Sequence, residues 1–401
     1  GMGNMAGVAA AIASGGPGAV FWMWVWAFVG MTIKHAEVTL GCYYRSKDSQ
    51  GKLYGGPTFY MEKGIVIEKG QKWGWILIIG FAVGMVLQFL GGSQAYNIAE
   101  SLYETFGFDQ IVFVLLYSAF LLYIIWKGVP RIAKVASRLV PFMCVLYLLG
   151  GIIMIVVNIS AVPAMFASIF KCAFTSSAAA GGTVGYAVKT AISKGISRSM
   201  NSNEAGQGTS PMIHANANTI HPVRQGMWGA FEVFMDTIVV CTVTALSILS
   251  SGALSTGKTS MGLTIAAFDS VFGTAGSVFI AVICVLFGIT TTAGWFVFYT
   301  TILHHVLRNN EALANKLETV LKICYPLPNI IIVLMIVLTG SGPDMFWTIV
   351  DISLVVPVFF NVIALIVLSG KYKELLKDYR ARYLNEGVVN PDFKVFYEDQ
   401  K

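Results

Sequence analysis

Two polar, glycine-broken stretches, Gly1-Met2-Gly3-Asn4 and Asn203-Glu204-Ala205-Gly206-Gln207-Gly208, interrupt opposite halves of a chain that otherwise reads as apolar helix. Glycine weakens a helix interior, and short polar side chains there compete for the backbone. At bilayer depth, non-helical backbone is tolerated only where it is buried in protein or lines a cavity. Each break is followed at matching distance by a Trp-bearing apolar helix, around Trp24 and Trp228. Corresponding interruptions in two halves of a membrane chain point to the binding site of a secondary transporter. The fold must therefore wrap other helices round two broken ones, and the breaks are the candidate site.

Of 401 residues, 56% are hydrophobic and 12% are charged, against roughly 25% charged in a soluble domain. A soluble chain of this size would divide at polar linkers, and none is found. Apolar runs long enough to cross a bilayer fall at 18–44, 73–103, 109–126, 138–158, 226–250, 273–303, 321–339 and 344–369. A half-segment, Met5–Ala13, follows the first break, and an interrupted stretch near 182–215 holds the second. Cys42, Cys144, Cys172, Cys241, Cys284 and Cys324 are scattered without ligand spacing, so they suggest neither a metal site nor a disulfide framework. No cofactor is expected, and the bilayer, not nucleic acid, is the expected surroundings. Gly1 opens directly on a break, which predicts further sequence ahead of it.

Positive charge alternates along the connections. Loop 45–72 and segment 127–138 are rich in Lys and Arg, whereas 104–109 has none and 159–182 has Lys171 alone. Arg224 then lies in 209–225, Lys258 alone in 251–272, and Arg308, Lys316 and Lys322 in the next loop. The basic tail carries Lys371, Lys373, Lys377, Arg380 and Arg382. The positive-inside rule places every second loop, and the C-terminal tail, in the cytoplasm. An odd number of crossings then separates the breaks, so repeats 1–160 and 182–370 are inverted relative to each other. Residues 161–181 form an extracytoplasmic connector and 371–401 a cytoplasmic tail. The predicted architecture is all-α and polytopic, a leucine-transporter-like inverted repeat of five plus five helices with two broken ones.

Unwound breaks can serve a zwitterion from backbone alone, N–H groups for its carboxylate and carbonyls for its ammonium. Gly1 and Gly3 allow close approach, and Asn4 adds an amide. Gln88, Gln94 and Asn97 lie on the run 73–103, where they serve either a substrate or a neighbouring helix. Thr290-Thr291-Thr292 near Trp295 suit a small hard cation, although Thr in such helices often bonds its own backbone. Glu204, Asp236 and Asp351 are coupling or structural acids, since acids at this depth are costly. Lys34 and Glu37, three apart, are expected to pair locally.

The run GMGNMAGVAAAIASGGPGAVFWMW, with GGPTFYMEKG (55–64), SRSMNSNEAGQGTSP (197–211) and GPDMFWTIVDI (342–352), resembles the alanine-or-glycine:cation symporter family across essentially the whole chain. The resemblance implies inward movement of a small neutral amino acid with Na⁺, in some members H⁺, at the bacterial inner membrane. Carried over by position, substrate contacts fall on Gly1, Met2, Gly3, Asn4, Gln94, Asn201, Ser202, Asn203 and Trp295. The Na⁺ site falls on Thr290 and Thr291, with no other metal. Met2 stands where the family has Thr, which should shrink the pocket or change its polarity. Glutamine is the alternative substrate, and H⁺ the alternative coupling ion. A binding-only, non-transporting relative is the other class of function. A membrane-embedded enzyme is disfavoured: no H-E-x-x-H motif occurs, and no His lies well inside a span.

Overall fold

The structure, a computed structural model, describes residues 1–47, 51, 53–91, 94–175 and 184–400. Lys52, Gly92, Ser93, residues 176–183 of the connector and the start of the second interrupted stretch lie outside them. The described chain is helical apart from a two-stranded hairpin, Ser46–Lys47 with Leu53–Tyr54.

A π-helical turn, Gly3–Gly7, runs into α1 (Val8–Gly15), and α2 (Gly18–Tyr43) follows. Short α3 (Pro57–Tyr60) continues as a π-helix to Glu68. Then come α4 (Gly74–Gly91), α5 (Ala95–Phe106), α6 (Gln110–Trp126), α7 (Val129–Val157) and α8 (Val162–Phe174). The second half opens on α9 (Val184–Asn203), which breaks and resumes as α10 (Ser210–His214). Next, α11 (Pro222–Val233), a π-helix Phe234–Cys241 and α12 (Thr242–Ser251) form one continuous rod. There follow α13 (Ser260–Phe272), α14 (Thr274–Val306), α15 (Glu311–Cys324), α16 (Leu327–Thr339), α17 (Gly342–Val367) and α18 (Ser369–Tyr383).

Among the described residues, six helical stretches are long and apolar enough to cross a membrane: 74–106 (Gly92 and Ser93 apart), 130–157, 222–251, 274–306, 311–339 and 342–367. The runs read at 18–44 and 109–126 also form helices, but they are not in that group. α2 carries Lys34, His35 and Glu37 in its second half, and α6 has only 17 residues. Helix α2 is packed along α9 and α11, so it need not be apolar all round. Helix α7, by contrast, exposes Phe142, Val145, Leu149, Ile152 and Val156. That three-and-four spacing is one continuous apolar face, a surface suited to lipid and too large to leave in water. Helix α4 seats on α17 through Gly80 and Gly84, against Phe360 and Pro357.

The basic connections meet at one end of the bundle. There Arg45 contacts Glu398 at 3.3 Å, and His221 contacts Asp378 at 3.3 Å. At the other end Lys258 reaches Glu104 at 2.6 Å. The segment read as a tail folds back as α18, burying Leu375 and Ala381, because its apolar residues recur on one helical face.

At the basic end Glu62 receives His305 at 2.8 Å and Arg308 at 2.8 and 2.5 Å. Burial pushes the Glu62 carboxyl up, but these bonds outweigh it and hold the pKa below the ordinary 4.5. A lowered folded pKa stabilises the fold fully above the ordinary value, and that contribution is lost as pH falls through the folded one. Glu62→Gln should therefore melt below the parent protein at neutral pH. The gap should narrow as the pH is taken below 4.5, which thermal unfolding in detergent would read.

Candidate functional site

The first broken stretch meets the second face to face. A Cβ on Gly3 would come 2.7 Å from the Ser202 Cα, so only glycine lets the two backbones approach this closely. Between them stands Asp236 on the π-helical part of the α11–α12 rod. Its carboxyl accepts from Asn4 Nδ2 at 2.6 Å, Ser202 Oγ at 2.8 Å and Thr237 Oγ1 at 2.9 Å. One acid thus holds both breaks in register. The carbonyl of Met5, in the π-helical turn, accepts from Thr264 Oγ1 of α13 at 3.2 Å.

The second break is braced from α2. Glu204 (φ 57) ends the helical path, and Gly206 (φ 87) and Gly208 (φ 81) carry the chain through left-handed conformations. Lys34 Nζ donates to the Asn203 carbonyl at 2.7 Å, where α9 leaves unpaired acceptors. Glu37 accepts the N–H groups of Gly206 at 3.2 Å and Gly208 at 3.1 Å. Asn361 of α17 also donates to Glu37, and Tyr60 in turn donates to Asn361. Lys34 and Glu37 are therefore not a local pair, as their spacing suggests. Each is turned across the bundle to opposite ends of one break, because the buried backbone there has no other partners.

A cavity of about 90 Å³ opens beside these contacts. Gly1, Met2 and Gly3 from the first break, Asn201, Ser202 and Glu204 from the second, Gln88 and Gln94, and Thr291 and Trp295 of α14 line it. Val350 and Ser353 of α17 complete the wall. Met2 is 1% exposed, and its Sδ lies 3.8 Å from Cys284 Sγ, so the side chain fills space against α14. Gln94 stands at the N-cap position of α5; of the run read over 73–103, α4 and α5 are described on either side of Gly92 and Ser93. Glu204 accepts from Thr209 Oγ1 at 2.5 Å.

Three expected contacts turn elsewhere. The Asn4 amide is committed to Asp236. Asn203 donates to Ser199 Oγ at 3.2 Å and Thr237 Oγ1 at 3.0 Å, and its Oδ1 accepts from the Ala205 N–H at 3.0 Å. Thr290 bonds back to Leu286 and Phe287 carbonyls at 2.9 and 3.0 Å, leaving Thr291 as the hydroxyl on the cavity. Asp351 accepts from Ser197 at 2.6 Å and Arg198 at 2.5 Å. Arg198 and Trp347 line a second cavity of about 450 Å³. Asn201, Ser202, Val350 and Ser353, about one turn farther along the same two helices, line the central one. The Arg198–Asp351 pair therefore lies between the two spaces.

A family model described as the sodium:alanine symporter family matches residues 1–395. The chain belongs to that family. It is 38% identical over 302 residues to a sodium/alanine symporter, AgcS, of Methanococcus maripaludis, covering 74% of this chain and 65% of that one. It is 36% identical over 405 residues to a probable sodium/glutamine symporter, GlnT, of Bacillus subtilis, covering 100% of this chain and 78% of the relative. A crystal structure of an Eremococcus coleocola manganese transporter variant shares the fold at a TM-score of 0.56 and 15% identity, covering 97% of this chain and 80% of that one. This sodium:alanine symporter family member is thus a membrane transporter by family, and its six membrane-span candidates among the described residues make it multi-pass.

What the sequence left unread at the site is the bracing. Glu37 and Lys34 carried a signal, charge inside an otherwise apolar helix. Asp236 was visible as an intramembrane acid without an assigned role.

Proposed function

We propose that this chain imports a small neutral amino acid, alanine or glycine, coupled to Na⁺ and working by alternating access. The observation that carries this reading is the lining of the central cavity. Gly1–Gly3, Gln94, Asn201–Ser202, Thr291 and Trp295, from separate stretches of the chain, converge on one small polar space. Backbone of the two breaks takes the substrate's charged groups, Gln94 supplies an amide, and Trp295 covers the site. Thr291, with Thr290 behind it on the same helix, marks the cation side. The Arg198–Asp351 pair closes the path from the larger cavity.

Repeats 1–160 and 182–370 rock about this site, joined through 161–181. Cation and substrate are coupled because both stabilise the same closed state. The protein sits in the bacterial inner membrane with its basic end, and the docked segment 371–401, in the cytoplasm. The gathering of basic connections at that end supports this orientation.

The test is labelled alanine and glycine uptake by the full-length protein in proteoliposomes, with and without an inward Na⁺ gradient. Gradient-driven accumulation is expected. Uptake driven only by an inward H⁺ gradient would replace Na⁺ as the coupling ion. Binding without accumulation would make the chain a non-transporting relative.

A further inference from the structure

We propose that Gln88 makes this transporter prefer, among amino acids with side chains larger than that of alanine, those ending in a hydroxyl or a carboxamide. This rests on the central cavity being the substrate site. Gln88, at 4% exposure, lines that cavity and also an adjoining recess of about 30 Å³. Trp295 and Gln94 are shared by both spaces, so the recess opens directly off the site. Phe89, Tyr299 and Tyr325 give it aromatic walls.

Gln88 Oε1 is buried and has no hydrogen-bond partner among the described residues. Two hydroxyls of the lining are engaged: Thr292 Oγ1 accepts from Tyr117 at 2.8 Å, and Tyr325 donates to the Thr292 carbonyl at 2.6 Å. Buried polar atoms in native proteins are ordinarily paired, so an unpaired oxygen on a glutamine that lines both spaces makes its amide a recognition group awaiting its ligand.

Size limits what that ligand group can be. One water needs about 10–15 Å³ of such space, so the recess takes about two water-sized positions. A hydroxymethyl or a carboxamide tip fits; an aromatic ring does not. Hydroxyls and carboxamides both donate and accept, so either satisfies the Gln88 amide whichever end it presents. A methyl or isopropyl group in the same place would seal the amide away from water unpaired. Alanine, whose side chain is a single methyl, leaves the recess to water, so it is carried without that penalty.

The test uses two isosteric pairs as competitors of labelled alanine uptake by the full-length protein in proteoliposomes. Serine is set against 2-aminobutyrate, and asparagine against leucine. The polar member of each pair should compete about tenfold better, the effect of one neutral hydrogen bond, and Gln88→Met should bring both ratios toward one. Equal competition within both pairs in the parent protein overturns the proposal. So do ratios that survive Gln88→Met. The same compounds are also ranked by the shift each produces in the melting temperature of the purified protein. Polar preference in binding without alanine uptake supports Gln88 and counts against the symporter reading alone. Absence of binding by all of them overturns both.

Discussion

Asp236→Ala is expected to lower alanine uptake by at least about 100-fold, because it removes the acceptor that holds the two broken segments together. The donors are Asn4 Nδ2 and Ser202 Oγ, one from each break, with Thr237 Oγ1 beside them. Hydrogen bonds to a charged group are worth about 1.5–3 kcal/mol each, and 2.7 kcal/mol is about 100-fold. The loss falls where it matters most, since Gly3 and Ser202 both line the central cavity. Asp236→Asn separates two roles for this acid. The Asn oxygen can still accept from Asn4, and its NH₂ can be taken by the hydroxyls of Ser202 and Thr237. A positioning residue would therefore give a slower carrier with ordinary Na⁺ dependence, the result we expect because the carboxyl is engaged by three donors. Uptake by Asp236→Asn that no longer responds to Na⁺ would instead make Asp236 the coupling group. Initial rates across a Na⁺ series distinguish the two.

The helices were legible because bilayer thickness and hydropathy set their length: the described part of each apolar run falls on helix, although 321–339 takes in the end of α15 and all of α16, and α7 starts at Val129, well before its run at 138. The partners of polar residues were not. Lys34 and Glu37 lie three apart on one helix, so spacing alone favours a local pair, whereas their contacts are 169 and more residues away in sequence. Asn4 and Asn203 illustrate the same limit. A polar side chain in an apolar chain announces that it needs a partner, but not whether that partner is a substrate or another helix. Here both amides stitch the breaks to the α11–α12 rod. The π-helical segments Gly3–Gly7, Met61–Glu68 and Phe234–Cys241 left no periodic signal, since each is too short for its wider turn to shift the apolar pattern. Yet Phe234–Cys241 is what places Asp236 between the breaks. Gln88 was read only as one of several amides on its helix; its orphaned oxygen emerges once the surrounding groups are seen to be paired.

Glu37→Ala should be among the most destabilising single changes in this protein. It strips the acceptor from the N–H groups of Gly206 and Gly208 and from the Asn361 amide, all buried. Breaking a buried charged contact by removing one side costs about 3–5 kcal/mol, a large part of the stability of a typical fold. Glu37→Gln tests whether acceptor capacity or mere volume is at stake. The two carboxyl oxygens each face a donor: Gly206 on one, Gly208 and Asn361 on the other. A glutamine must turn its NH₂ toward one of them, donor against donor, although it fills the same space. Glu37→Gln is therefore expected to melt nearly as far below the parent protein as Glu37→Ala, and to lose alanine uptake with it. If Glu37→Gln melts like the parent, the break holds its shape through packing alone, and the bonds from Gly206 and Gly208 are incidental. Because the second break shares the cavity wall with the first, a loosened Gly206–Gly208 segment should also weaken alanine binding in whatever protein remains folded. Isothermal titration of the purified variant would read that separately from its melting.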